Sequence, residues 1–63
     1  MTARQREKIE QLALRFGKDG KKADYVTYDN SLGLPTGWVG MEIPREGRPP
    51  YVLGISPEGG SHS

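Results

Sequence analysis

The chain has no cysteine, one histidine and no long apolar run. Without cysteine there is no disulfide to reinforce the fold and no thiolate zinc site. His62, the only histidine, stands in the stretch Glu58–Ser63, which carries no apolar side chain and reads as a flexible tail. A Ser-His-Asp or Cys-His arrangement therefore has no base, and a histidine-based metal site is out of reach. No apolar stretch approaches the roughly 20 residues of a membrane span. The polar N-terminus lacks a signal-peptide core. A soluble, cytoplasmic protein with no membrane contact is the expectation.

Two glycine-containing segments resemble ligand loops and fail on detail. Asp29-Asn30-Ser31-Leu32-Gly33 lacks the oxygen spacing and distal glutamate of a calcium loop, and reads as a side-chain-capped turn. Gly17-Lys18-Asp19-Gly20-Lys21-Lys22 lacks the Ser/Thr of a phosphate loop. It also leaves a helix instead of entering one, so its amides point the wrong way. No spacing selects a pair of carboxylates. The chain is expected to be no enzyme and to hold no cofactor and no metal.

What is present amounts to 63 residues, 33% apolar and 27% charged. That allows one small domain, placed at residues 1–57 ahead of the tail 58–63. A chain of this size buries only about 60% of its unfolded surface, so its stability is marginal. The net charge of +1 is unevenly divided. Residues 1–22 carry seven basic side chains against three acidic ones, a balance of +4. Residues 23–63 carry two against five, a balance of −3. A basic front half can attract polyanions, shed charge into water or pair with the acidic half of a second copy.

Thr2-Ala3-Arg4-Gln5 fits a capping box. From there to Phe16 neither proline nor glycine interrupts a run of strong helix formers. Ile9, Leu12, Ala13 and Phe16 recur at i, i+3, i+4 and i+7, one buried stripe, and Leu14 points away from it. The helix spans 3–16, and Gly17 suits a left-handed cap. Arg6 can pair with Glu10 one turn on, and Arg4 with Glu7. Arg4, Lys8, Gln11 and Arg15 form a second, basic and polar stripe that leads toward Lys18, Lys21 and Lys22.

The periodicity then becomes alternating. Ala23–Asp29, Thr36–Ile43 and Tyr51–Ser56 are rich in Tyr, Val, Thr, Trp and Ile, and each is bounded by turn residues. Arg45-Glu46-Gly47-Arg48 is a tight turn joining the last two strands into a hairpin. Pro49, Pro50 and Pro57 suit an edge strand. The fold class is α+β: a single N-terminal helix packed on a three-stranded antiparallel sheet, an α-β-β-β meander.

Alternation assigns Val26, Tyr28, Val39, Met41, Ile43, Tyr51, Leu53 and Ile55 to the core. Tyr25, Trp38 and Val52 remain on a face with no second layer. A bare two-residue Glu46-Gly47 loop would pair Met41 with Val52 and break this assignment, so a longer loop or a bulge is expected. Leu32 and Leu34, on the connection Asn30–Pro35, close the open end of the core or add to a contact surface.

The α-β-β-β order resembles the front of a double-stranded-RNA-binding domain, without the second helix that completes that module. No family is assigned on it. The leading expectation is a non-catalytic interaction module that docks on a larger protein through Tyr25, Trp38, Val52, Leu32 and Leu34, with self-association through the same surface as a variant. The alternative is nucleic-acid binding. In that reading Arg4, Lys8, Arg15, Lys18, Lys21 and Lys22 hold phosphates while Tyr25 or Trp38 stacks on bases.

Overall fold

The computed structural model describes residues 1–29 and 33–62. Its elements are helix α1 (Ala3–Phe16) and strands β1 (Val26–Asp29), β2 (Val39–Arg45), β3 (Arg48–Ile55) and β4 (Ser61–His62). The strands form one antiparallel sheet in the order β1-β2-β3-β4, with α1 on one face. The α+β layout matches the sequence reading, with a fourth short strand added.

The capping box forms as expected. Thr2 Oγ1 accepts from the Gln5 backbone N–H at 3.1 Å, and Gln5 Oε1 accepts from the Thr2 N–H at 2.7 Å. Gln5 does more than cap. Its Nε2 donates to the Gly37 carbonyl at 2.7 Å and to the Ile55 carbonyl at 3.2 Å, inside the protein. The side chain is 1% exposed with its polar atoms satisfied, so it stabilises the joint between helix and sheet instead of weakening it.

Ile9, Leu12 and Ala13 of α1 meet Val39, Met41, Ile43 and Ile55 in the core, with Ala23, Tyr25 and Leu53 packed around it. Each large member contributes roughly 1.5–3 kcal/mol by leaving water. Phe16, the last member of the helical stripe, is instead exposed, its ring 5.1 Å from that of Tyr51. Tyr51 is exposed too, with the Arg45 guanidinium 4.1 Å over its ring.

The helix ends differently from expectation. Gly17 is extended (φ −80°, ψ 177°), not left-handed. Its requirement for glycine is one of space, because a Cβ there would stand 1.7 Å from the Lys21 carbonyl oxygen. The left-handed residues are Asp19 (φ 55°) and Gly20 (φ 73°). They turn the chain so that the Ala23 N–H donates to the Ala13 carbonyl at 2.8 Å. That bond ties Ala23 under the helix end, and Tyr25, two residues on, packs on the same side. The assignment of Val26 and Tyr28 to the core is thereby corrected: both are exposed. Thr27, not a large apolar residue, stands opposite Met41.

The hairpin carries the expected bulge. Met41 pairs with Leu53 and Ile43 with Tyr51, whereas Arg45 pairs with Arg48. One residue of β2, Pro44, thus faces two of β3, Pro49 and Pro50, and Gly47 takes φ 68° in the turn. β3 lies inside the sheet, because residues 58–62 do not trail as a tail. Ser56 Oγ accepts from Gly60, the Ser56 N–H donates to the Gly60 carbonyl, and β4 pairs with Gly54 and Ile55. Gly59 also packs against α1, where a Cβ would approach the Arg4 carbonyl oxygen to 3.2 Å.

Candidate functional site

The strand registers generate the face of the sheet opposite α1 as two rows. One runs Val26–Glu42–Val52 across β1, β2 and β3. The other runs Tyr28–Gly40–Gly54–His62 across all four strands. Two adjacent glycines leave a trough in the second row. Trp38 and Leu34 fill it at Gly54, where an added Cβ would lie 3.1 Å from the indole Cε3 and 3.0 Å from Leu34 Cδ2. The His62 ring closes the other side, 5.3 Å from the indole. The indole therefore packs on its own sheet at Gly54 and is half-buried.

The remaining apolar residues of this face stay in water. Val26 is 46% exposed, Tyr28 49% and Val52 62%. The Tyr28 hydroxyl donates to Glu42 Oε2 at 2.9 Å, which raises the phenol's pKa above its ordinary value, the neighbouring negative charge acting in the same direction. Glu42 is the one acidic side chain in the two rows, and neither row contains lysine or arginine.

Of the residues singled out for protein contact, Trp38, Val52 and Leu34 do come to this face. Leu34 and Trp38 serve first as its lining. Tyr25 does not belong there, since it packs beside the core under α1. Leu32 lies outside the described residues. Val26 and Tyr28 are the exposed residues of this face that sequence reasoning missed. The signal for them was parity counted from Ala23, whose hydrogen bond to the helix is invisible without coordinates.

The basic candidates sit elsewhere and are partly spoken for. Lys22 pairs with Glu10, which raises the lysine's pKa through that hydrogen bond; Glu10 was expected to pair with Arg6. Arg4 and Lys8 line a groove of about 310 Å³ together with Glu7, Gln11, Glu58 and Gly59, so acids share it. Among the described residues no carboxylate lies within ion-pair distance of Arg15, Lys18 or Lys21. Lys18 borders a second cavity, about 360 Å³, with Phe16, Ala23, Ile43, Pro44, Arg45 and Glu46. The helix cations stand on the α1 side of the sheet, away from Trp38.

Among the described residues no group of His, Cys, Asp or Glu side chains is gathered closely enough to hold a metal, and no helix is long and apolar enough to cross a membrane. The chain matches no protein-family model, no curated protein and no solved structure.

Proposed function

We propose that this chain is a non-catalytic interaction module that docks on a protein through the two-row sheet face. The observation that carries the reading is the exposed set Val26, Tyr28 and Val52 around the Glu42 carboxylate, which no helix or strand covers among the described residues. Aromatic and β-branched side chains on a rigid sheet bury large area at small entropy cost. A carboxylate with no cation in its rows favours a partner that brings apolar side chains around one hydrogen-bond donor or positive charge. It disfavours a phosphate backbone on this face, because stacking rings and phosphate-holding cations must share one side.

The test is affinity capture from extract with wild type, Val52→Asp, and the pair Lys21→Glu/Lys22→Glu, each checked for folding by circular dichroism. A partner retained by the lysine variant and by high salt, and lost with Val52→Asp, supports the reading. Profiles unaffected by Val52→Asp contradict it.

A second reading, polyanion binding, draws on the other end of the molecule. There Phe16 and Tyr51 are exposed beside Lys18, Arg45 and Arg48. These rings take the place assigned to Tyr25 and Trp38 from the sequence. This reading predicts nucleic-acid retention that falls steeply with salt and is lost in Lys18→Glu. No retention at low ionic strength removes it.

A further inference from the structure

β1 begins at Val26, opposite Glu42, so the last residues of β2, Ile43–Arg45, run past it. α1 stops at Phe16, and the left-handed pair Asp19 and Gly20 turns the chain back to Ala23. The space left between the helix end, the returning chain and β2 is the cavity of about 360 Å³. Its size is at the small end of the roughly 300–1,000 Å³ range of ligand sites. The apolar walls are Phe16, Ala23, Pro44 and the nearly fully buried Ile43. Lys18, Arg45 and Glu46 border the same cavity, so its charge is positive by one in net.

Arg45 is held in place. Its Nε donates to the Pro49 carbonyl at 2.7 Å, and its guanidinium lies 4.1 Å over the Tyr51 ring. Most of the guanidinium's N–H donors remain beyond that bond, and among the described residues they meet no acceptor. The negative end of α1 is muted, because the Ala13 and Leu14 carbonyls accept from the Ala23 and Gly17 N–H groups. We propose that this cavity binds a carboxylate carried on a small aryl or branched alkyl group. The apolar group enters between Phe16, Ala23, Ile43 and Pro44 and leaves water. The carboxylate matches the planar Arg45 fork, with Lys18 as a second cation. A monoanion balances the charge of the cavity, whereas a phosphate dianion exceeds it and stands against Glu46. The site lies on the α1 side of the sheet, apart from the Val52 face. It shares Lys18 with the polyanion reading and does not rest on it.

NMR titration of the full chain tests the proposal. 3-Phenylpropionate is expected to shift the Ala23 and Ile43 methyls saturably below about 10 mM. The uncharged 3-phenylpropanol and the bodiless acetate are each expected to bind about tenfold more weakly or worse. Arg45→Gln and Lys18→Gln, each checked for folding by circular dichroism, should weaken 3-phenylpropionate and leave 3-phenylpropanol unchanged. A capped tripeptide ending in phenylalanine, as free acid and as amide, identifies the source. Tighter binding of the peptide acid assigns the carboxylate to a chain terminus, and tighter binding of 3-phenylpropionate assigns it to a free compound; both support the site. No saturable shift, equal affinity for acid and alcohol, or shifts confined to Val26 and Val52 overturn the proposal. An oligonucleotide that binds where 3-phenylpropionate does not overturns it too, and leaves the polyanion reading standing.

Discussion

The two faces of the sheet are made by the same strands, residue by alternate residue, and they end in opposite conditions. Toward α1 the rows Thr27–Met41–Leu53 and Asp29–Val39–Ile55–Ser61 bring Met41, Val39 and Ile55 out of water under Ile9, Leu12 and Ala13. Away from α1 the central positions are Gly40 and Gly54, and among the described residues Trp38, Leu34 and His62 cover them. One helix has the width of about two strands (an α-helix is roughly 10–12 Å across, and strands lie about 4.8 Å apart). It closes one face over β2 and β3 and leaves β1 beyond its reach. The open face economises by shrinking: glycines lower its middle so that one indole covers it, and the apolar surplus gathers at its flanks.

Core substitutions should separate the faces most sharply. Met41→Ala removes a fully buried side chain and is expected to cost about 2–5 kcal/mol in denaturant unfolding. Val52→Ala, on the open side, should stay within about 0.5 kcal/mol. Next in size, Gln5→Ala leaves the Gly37 and Ile55 carbonyls without their donor and removes half the capping box. A loss of about 2–3 kcal/mol is expected, measured the same way.

Gly54→Ala tests how the trough is filled. Its Cβ forces the indole or Leu34 to give way, at about 1–3 kcal/mol, partly offset by the roughly 0.5–1 kcal/mol that alanine gains over glycine in a strand. Trp38 fluorescence should shift toward that of a solvated indole. The smallest effect is electrostatic. The Tyr28 pKa is raised in the fold, so the stabilisation from its bond to Glu42 is complete below the ordinary tyrosine range and is lost as pH rises through the raised value. Glu42→Gln should bring Tyr28 ionisation back toward 10.0, followed by phenolate absorbance.

Local signals made much of this architecture legible. The helix bounds followed from the capping box at Thr2 and Gln5 and from an uninterrupted run to Phe16. The hairpin bulge followed from a conflict between the hydrophobic pattern and a two-residue loop, and the prolines took it up. What stayed hidden depends on non-local contacts. The facing of β1 is set by the bond from Ala23 to Ala13, so apolar size placed Tyr28 on the wrong side. The fold-back of residues 58–62 rests on Ser56 at the end of the third strand and on Gly59 and Gly60, whose stretch reads as a loose end from composition. Gly17 was legible as the residue that ends the helix, but it was read as a left-handed cap, and the close passage of Lys21 that actually requires glycine there was not visible.

Sidedness underlies every functional statement made for this protein, and methyl NMR in dilute solution with a soluble paramagnetic agent measures it directly. The Val26 and Val52 methyls should broaden strongly while those of Ile9, Val39, Ile43 and Ile55 remain sharp. Protected Val26 and Val52 methyls at a concentration where the chain is monomeric would contradict the account.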